Sequence, residues 1–369
     1  MKLEYPIERR KSRAVKVGDV IIGGGFPIAV QSMTNTDTRD VEATVAQTQQ
    51  LFDAGADIVR MSVLNDAAAK CLPEIRSRLT GPLVADIHFQ YKLALAAIKA
   101  GFDKIRINPG NIGEAWKVRE VTQEAKNTEG TKETGVAIRI GVNSGSLPKD
   151  LLEKFGRDDP RSFVEAALRE AAILEELDFH DIIISVKSTN TMTAFWAYHM
   201  LAEKCDYPLH IGITEAGTLE TGTIKSSVGI GAILLTGIGD TIRVSLTADP
   251  VHEVRVGHQI LKSCALKKDG LEVISCPTCG RCQIDLIPLA ESIEAKTRHI
   301  KAPLKVAVMG CPVNGPGEAA AADVGIAGGK GKAMLIKKGE IVRTAPESEL
   351  ESMLLDEIEA MTGEKIKRE

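Results

Sequence analysis

The stretch KIRINPG, Lys104 to Gly110, alternates polar and β-branched residues and then breaks at Pro109-Gly110. Alternation with period two is the mark of a strand, and an Asn-Pro-Gly ending marks where the chain must turn. AIRIGVN at 137–143 repeats the pattern 33 residues further on, a spacing near that of one βα unit. Working outward, similar runs occupy Ile28–Thr36, Asp57–Val63, Leu83–Phe89, Asp181–Thr189, Leu209–Glu215 and Thr241–Thr247. Most are followed by apolar residues at helical spacing: 41–54, 91–100, 114–124, 162–176 and 193–204. Asp37–Arg39 supply capping residues before Val41. Eight strand–helix repeats predict an α/β architecture, a (β/α)₈ TIM barrel. A doubly wound open sheet uses the same local units. The count of eight and the lack of a GxGxxG turn at the first helix favour the barrel.

The composition agrees. The 369 residues are 44% hydrophobic and 26% charged, with a net charge of -4, which excludes a disordered chain and a general nucleic-acid coat. Aromatics are only 4%, the palette of parallel sheets and helices rather than a β-sandwich. The N-terminal MKLEYPIERRKSRAV carries no apolar signal segment. The longest apolar run, 228–239, is too short and glycine-rich to span a bilayer. A cytoplasmic location is expected, where seven cysteines are thiols or metal ligands rather than disulfides.

After Pro250 the pattern changes. A last helix at 251–263 leads to a strand at 271–275, a helix over 286–299 and a strand at 304–309. A Gly/Pro loop, a strand near 323–325, a hairpin at Lys338-Gly339 and a helix over 347–361 complete a smaller α+β unit. The domain boundary falls near residue 265: 1–265 as a barrel that binds substrate, 266–369 as a second domain.

Strand parity puts Arg60 with Ser62, Arg106 with Asn108, Arg139 with Asn143 and Arg243 with Ser245, each pair on one face. With Lys187, five strands can aim a cation (Arg60, Arg106, Arg139, Lys187, Arg243) at one centre. Packing five cations together costs too much without an anion to offset them. The nearby acids, chiefly Asp86 and Glu215, are too few. A small polyanion, most simply a diphosphate, follows from Arg forks of this kind. The bland reading is that several point outward to helix carboxylates. Asp86 and His88, in VADIHF, and His210, Thr214 and Glu215, in HIGITEAG, end the third and seventh strands and could supply acid–base groups. A lone histidine such as His210 is more often a satisfied structural residue. A carboxyl at Glu215, beside a dianion, is the better general acid.

CPTCGRC (276–282) and CPVNGPGE (311–318) bring Cys276, Cys279, Cys282 and Cys311 into one window. Cys₄ zinc and an iron–sulfur cluster both fit at first sight. A zinc ribbon has two CxxC pairs, whereas Cys311 stands alone. Prolines after Cys276 and Cys311, and glycines at 310, 315 and 317 that admit backbone N–H groups to sulfide, favour the cluster.

Together these stretches, with NIG after KIRINPG, IRIGVNSGSL, ISVKSTN and IRVSLT, resemble nearly end to end the bacterial (E)-4-hydroxy-3-methylbut-2-enyl diphosphate synthases, the GcpE/IspG family. The resemblance implies a barrel joined to a sulfite-reductase-like [4Fe–4S] domain. It implies reductive ring opening of 2-C-methyl-D-erythritol 2,4-cyclodiphosphate in the non-mevalonate isoprenoid pathway, in two one-electron steps with loss of water. It implies cluster ligands at Cys276, Cys279, Cys311 and Glu318, with Cys282, a cysteine that family members lack, as a free thiol. It implies substrate binding by Arg60, Asp86, His88, Arg106, Asn108, Arg139, Asn143, Lys187, Arg243 and Ser245. Glu215 would protonate the departing hydroxyl, and Asn314 would face the substrate. Flavodoxin or ferredoxin would donate electrons, and a head-to-tail homodimer would set the cluster domain of one chain over the barrel of the other. The non-redox alternative is a phosphate-binding barrel of the aldolase or pterin-synthase kind with a structural zinc domain.

Overall fold

The structure, a computed structural model, describes residues 7–127 and 135–368. The start of the N-terminal segment read for a signal, residues 1–6, lies outside them. The chain divides into two compact units, Met1–Lys267 and Lys268–Glu369.

The first unit opens with an antiparallel hairpin, β1 (Ala14–Val17) and β2 (Val20–Gly23), turned at Gly18 with φ +62°. Eight parallel strands follow: β3 (Ala29–Met33), β4 (Ile58–Ser62), β5 (Leu83–Asp86), β6 (Lys104–Ile107), β7 (Ala137–Asn143), β8 (Ile182–Lys187), β9 (His210–Ile211) and β10 (Thr241–Ile242). Their order is β8-β7-β6-β5-β4-β3-β10-β9, and a bridge from Ile184 to Leu209 joins the two ends. The sheet therefore closes into the barrel, not the open doubly wound alternative. Helices Val41–Asp53, Asp66–Ser77, Tyr91–Lys99, Ala115–Lys126, Pro160–Glu175, Thr191–Lys204, Leu219–Leu235 and Pro250–Ser263 connect or follow the strands. Asp40, Asn65, Asp159, Asn190 and Asp249 cap five of them by accepting N–H groups from the first turn.

Two of these helices escape the periodicity. Asp66–Ser77 contains Pro73, and Leu219–Leu235 contains Gly222, Gly229 and Gly231, residues that read as breakers. The glycines are packing residues: a Cβ at Gly229 would stand 2.6 Å from Ile213, and one at Gly222 would meet Leu246 at 2.7 Å. The last two barrel strands are also shorter than expected, two residues each against runs of seven.

Inside the barrel, alternate residues face the axis. Ala29, Ile58, Val84, Ala137 and Ile183, from the N-terminal ends of their strands, pack with Val15, Val17 and Ile22 of the hairpin into one buried cluster. The hairpin thus floors the barrel with apolar side chains, leaving the polar positions above it.

In the second unit, β11 (Leu271–Ser275), β12 (Leu304–Met309) and β13 (Val324–Gly329) are parallel. β14 (Lys332–Lys337) and β15 (Glu340–Pro346) extend the sheet antiparallel. Lys338 and Gly339, both at positive φ, form the hairpin turn. Helices Leu286–Thr297 and Leu350–Thr362 bury Ile293, Leu354 and Ile358 against Val306, Val308 and Ile326. The expected Gly/Pro loop contains a short helix, Gly315–Ala319, which Pro316 starts within its first turn.

Candidate functional site

Above the apolar floor the barrel interior is cationic. Arg60, Arg106, Arg139 and Lys187 are buried, and Arg243 is nearly so. A sixth cation, Lys104, is fully buried, and its Nζ has no hydrogen-bond partner among the described residues. Each of these side chains feels the others. Burial pushes Arg60 down to about 10, with Asp86 opposing and Arg243 and Arg106 adding to the fall. Burial, then the charge of Arg139, pulls Lys187 and Lys104 well below the usual lysine range. Arg139 falls by burial and by its neighbours Arg60 and Arg106.

Individual contacts fix the fork geometry. Arg106 donates to the Gly141 carbonyl at 2.9 Å and to Asp86 at 3.4 Å. Gly141 makes room, since a Cβ there would lie 2.5 Å from the Arg106 Nε. Arg139 donates to Ser185 at 2.6 Å, and Arg60 rests its Nη2 2.8 Å from the Met33 sulfur. His88, half exposed, stands 3.5 Å from Asp86 and 3.3 Å from Arg106. Burial would raise the Asp86 carboxyl, but the charge of Arg60, the His88 hydrogen bond and the charge of Arg106 together hold it far below the usual range. Lys187 Nζ lies 3.1 Å from the His210 Nε2.

The structure brings together Arg60, Asp86, His88, Arg106, Arg139, Lys187 and Arg243. It corrects the expected acids: the second carboxylate among the cations is Glu253, not Glu215. Glu253, from the helix Pro250–Ser263, accepts from Arg243 at 3.5 Å and from the Leu246 N–H at 2.9 Å. Sequence reasoning passed over it because a helix glutamate reads as a solvated surface charge. Its one visible signal is that it falls on the helix's buried face with Val254 and Gly257. Asp86 and Glu253, with Asp103 acting on Lys104, are three carboxylates against six cations and leave an excess of positive charge.

Other expected residues lie elsewhere around the mouth. Asn108 turns to Glu170, donating its amide to both carboxylate oxygens at 2.6 and 3.0 Å when the amide is oriented by its partners. Glu170 also accepts the Gly110 N–H, and burial raises its carboxyl. This engagement takes Asn108 away from the role of a free substrate donor. Asn143 ends β7 and donates its N–H to Ser146 at 3.1 Å. Ser245 is half-buried just beyond β10. Glu215 is exposed at φ +51°.

The second unit gathers thiols where β11 and β12 end. Cys276 donates its N–H to Val308, and the Cys282 N–H returns to the Cys279 carbonyl at 2.9 Å. The N–H groups of Asn314, Val313 and Gly315 converge on the Cys311 sulfur and lower its pKa. The Arg281 N–H and guanidinium lower that of Cys279. Such cradles stabilise thiolates, the form that binds metal. Cys282 differs: its sulfur sits against Gly310, where a Cβ would be 2.4 Å away, and donates to the Ile284 carbonyl at 3.4 Å. Glu318 N–H donates to the Asn314 carbonyl at 2.9 Å, so one helical turn carries both exposed side chains. Among the described residues, no three His, Cys, Asp or Glu side chains are close enough to hold one metal ion. Thiolates stabilised by backbone N–H groups, with a carboxylate on the following turn, are donors of the kind an iron–sulfur cluster takes.

A family model for the GcpE TIM-barrel domain matches residues 12–258, and one for the GcpE protein C-terminal domain matches 272–360. The chain is similar to the 4-hydroxy-3-methylbut-2-en-1-yl diphosphate synthase (flavodoxin) of Caldanaerobacter subterraneus, at 56% identity over 96% of this chain and 99% of that protein. The protein of the same name from Symbiobacterium thermophilum matches at 56% over 97% of this chain and 95% of its own length. In fold alone, the chain resembles an N-acetylneuraminic acid synthetase from Leptospira borgpetersenii, with TM-score 0.50 and 11% identity over 77% of this chain and 96% of that one. No helix among the described residues is long and apolar enough to cross a membrane.

Proposed function

The chain belongs to the GcpE family, and from that premise we propose that it is a 4-hydroxy-3-methylbut-2-en-1-yl diphosphate synthase, opening the ring of 2-C-methyl-D-erythritol 2,4-cyclodiphosphate by two-electron reduction with loss of water. The observation that carries the reading is the buried cationic pit, whose charge only a compact polyanion would balance. Arg60, Arg106, Arg139, Lys187 and Arg243 grip the diphosphate, with Asn143 and Ser245 at the rim. Asp86 and His88 orient Arg106. Asn108 acts one step removed, through the loop that Glu170 secures. Glu215 delivers a proton to the departing hydroxyl, and Asn314 orients the substrate. A hydroxyl leaves as water far more readily than as hydroxide, which is the case for an acid there.

The first unit is thus the substrate domain and the second the cofactor domain. Cys276, Cys279, Cys311 and Glu318 are the proposed ligands of a [4Fe–4S] cluster. When bound, such a cluster passes electrons singly and offers a Lewis-acidic iron. A carboxylate, harder than thiolate, makes one ligand position the most exchangeable. Flavodoxin, named for the relatives, is the electron donor, with ferredoxin as its substitute. A head-to-tail homodimer would supply both sets of residues to one substrate. Free thiols and a soluble electron carrier suit the cytoplasm.

Anaerobic purification tests the reading. A brown protein with iron and sulfide near four each per chain, converting the cyclic diphosphate with reduced flavodoxin, is expected. A colourless protein holding one zinc and lacking turnover would sink it in favour of the non-redox barrel.

A further inference from the structure

Lys187 and His210 form a contact that the diphosphate reading does not explain. Lys187 ends β8 and His210 begins β9, so the lysine side chain must reach back along its neighbour to bring Nζ within 3.1 Å of Nε2. Gly212 permits this: a Cβ there would stand 2.6 Å from that Nζ. The His210 ring is fully buried, and its Nδ1 lies 3.4 Å from the Thr241 hydroxyl. The Tyr198 hydroxyl donates to the His210 carbonyl at 2.7 Å, fixing the strand beneath the ring.

The chemistry of the two groups sets the protons. An ammonium has three donors and no acceptor, so Nε2 must offer a lone pair. The ring proton then sits on Nδ1 and points to Thr241. A positively charged ring would face Lys187 with like charge, and burial together with Lys187, Arg139, Lys104 and Arg60 keeps it neutral. The groups facing Lys187 are Arg139 on β7, Arg243 beyond β10, Arg60 on β4 and Glu253 on the helix Pro250–Ser263. All but Glu253 repel it. His210 is its hydrogen-bond acceptor within the barrel.

We infer that His210 is the positioning residue for Lys187: a neutral imidazole, carrying its proton on Nδ1 toward Thr241, accepts from the Lys187 side-chain nitrogen and aims it while the pit awaits its anion. This rests on the pit being the diphosphate site. It makes the histidine part of the binding apparatus although it need not touch the ligand.

The first test needs no ligand. In protein labelled with ¹⁵N-histidine, with His210→Gln used to assign the signal, the ring should stay neutral and Nδ1-protonated between about pH 6 and 8, where a free imidazole titrates. A titrating ring, or the Nε2–H tautomer, overturns the inference. This result is independent of turnover, so failure of the synthase reading would show separately, as absence of activity with the tautomer in place.

The second test compares variants. His210→Leu removes the acceptor and should weaken inorganic pyrophosphate binding and raise KM about tenfold, the usual loss for a hydrogen bond to a charged group, with kcat little changed. The alkaline limb of kcat/KM should move to lower pH, because an ammonium left among like charges gives up its proton sooner. His210→Gln, whose amide oxygen can accept, should restore both. Unchanged affinity and an unmoved limb in a folded His210→Leu protein overturn the assignment. If that variant does not fold, Thr241→Val decides: it removes the partner of the Nδ1–H, loosens the ring and should weaken pyrophosphate binding, and unaltered binding overturns the assignment equally.

Discussion

Glu215 and Glu253 show how far a single side chain can be read. Both are glutamates near the barrel mouth, yet one is exposed at positive φ and the other is buried against Arg243. The exposed carboxyl is free to meet a ligand hydroxyl, and the buried one is spent on fixing an arginine. Glu215→Gln should therefore bind the cyclic diphosphate normally but lose turnover by about 10²–10⁴, the usual worth of a general acid; full activity would remove it from the mechanism. Cys282→Ser should keep its iron content and visible absorbance, since the Cys282 sulfur is engaged by Ile284; bleaching of the protein would make Cys282 a ligand. The cations were legible because strand parity leaves few choices inside a barrel. Glu253 was not, because helical position alone does not say which strand residue a buried carboxylate will meet.

Among the elements, the strands and most helices followed from period and caps. AIRIGVN and LEVIS match β7 and β11 to the residue. What failed was the meaning of glycine. In the helix Leu219–Leu235 glycine buys close packing against Ile213 and Leu246, a tertiary fact invisible to local propensity. The hairpin β1–β2 was missed as well, since four-residue strands leave little pattern. Gly212 in β9's extension offers the sharpest test at this scale. A Cβ there would lie 2.6 Å from both the Arg243 carbonyl and the Lys187 Nζ. Gly212→Ala should cost about 1–3 kcal/mol of stability, seen as a lowered Tm, and weaken pyrophosphate binding. A wild-type Tm would show that the strands can part without penalty.

For the molecule as a whole, a net charge of -4 conceals a strongly positive interior. Lys104 and Lys187 have folded pKa values below their unfolded ones. The sign follows directly. The native state without ligand binds fewer protons than the unfolded chain as pH rises toward the unfolded lysine value, so these groups penalise folding at neutral pH and the penalty eases on going alkaline. An anion in the pit restores their pKa values. Pyrophosphate should therefore raise Tm, by an amount equivalent to about 2.7 kcal/mol at a hundred times Kd. A Tm unmoved by saturating pyrophosphate would contradict the charge arrangement.

The hairpin that floors the barrel has one more consequence. With Val15, Val17 and Ile22 packed into the N-terminal strand ends, the pit is closed at that end. Whatever is made inside must back out along the route of entry, and no second molecule can queue behind the first. Product carrying the same diphosphate should then act as a purely competitive inhibitor against substrate, and a mixed pattern in initial-rate kinetics would show that product also binds outside the pit.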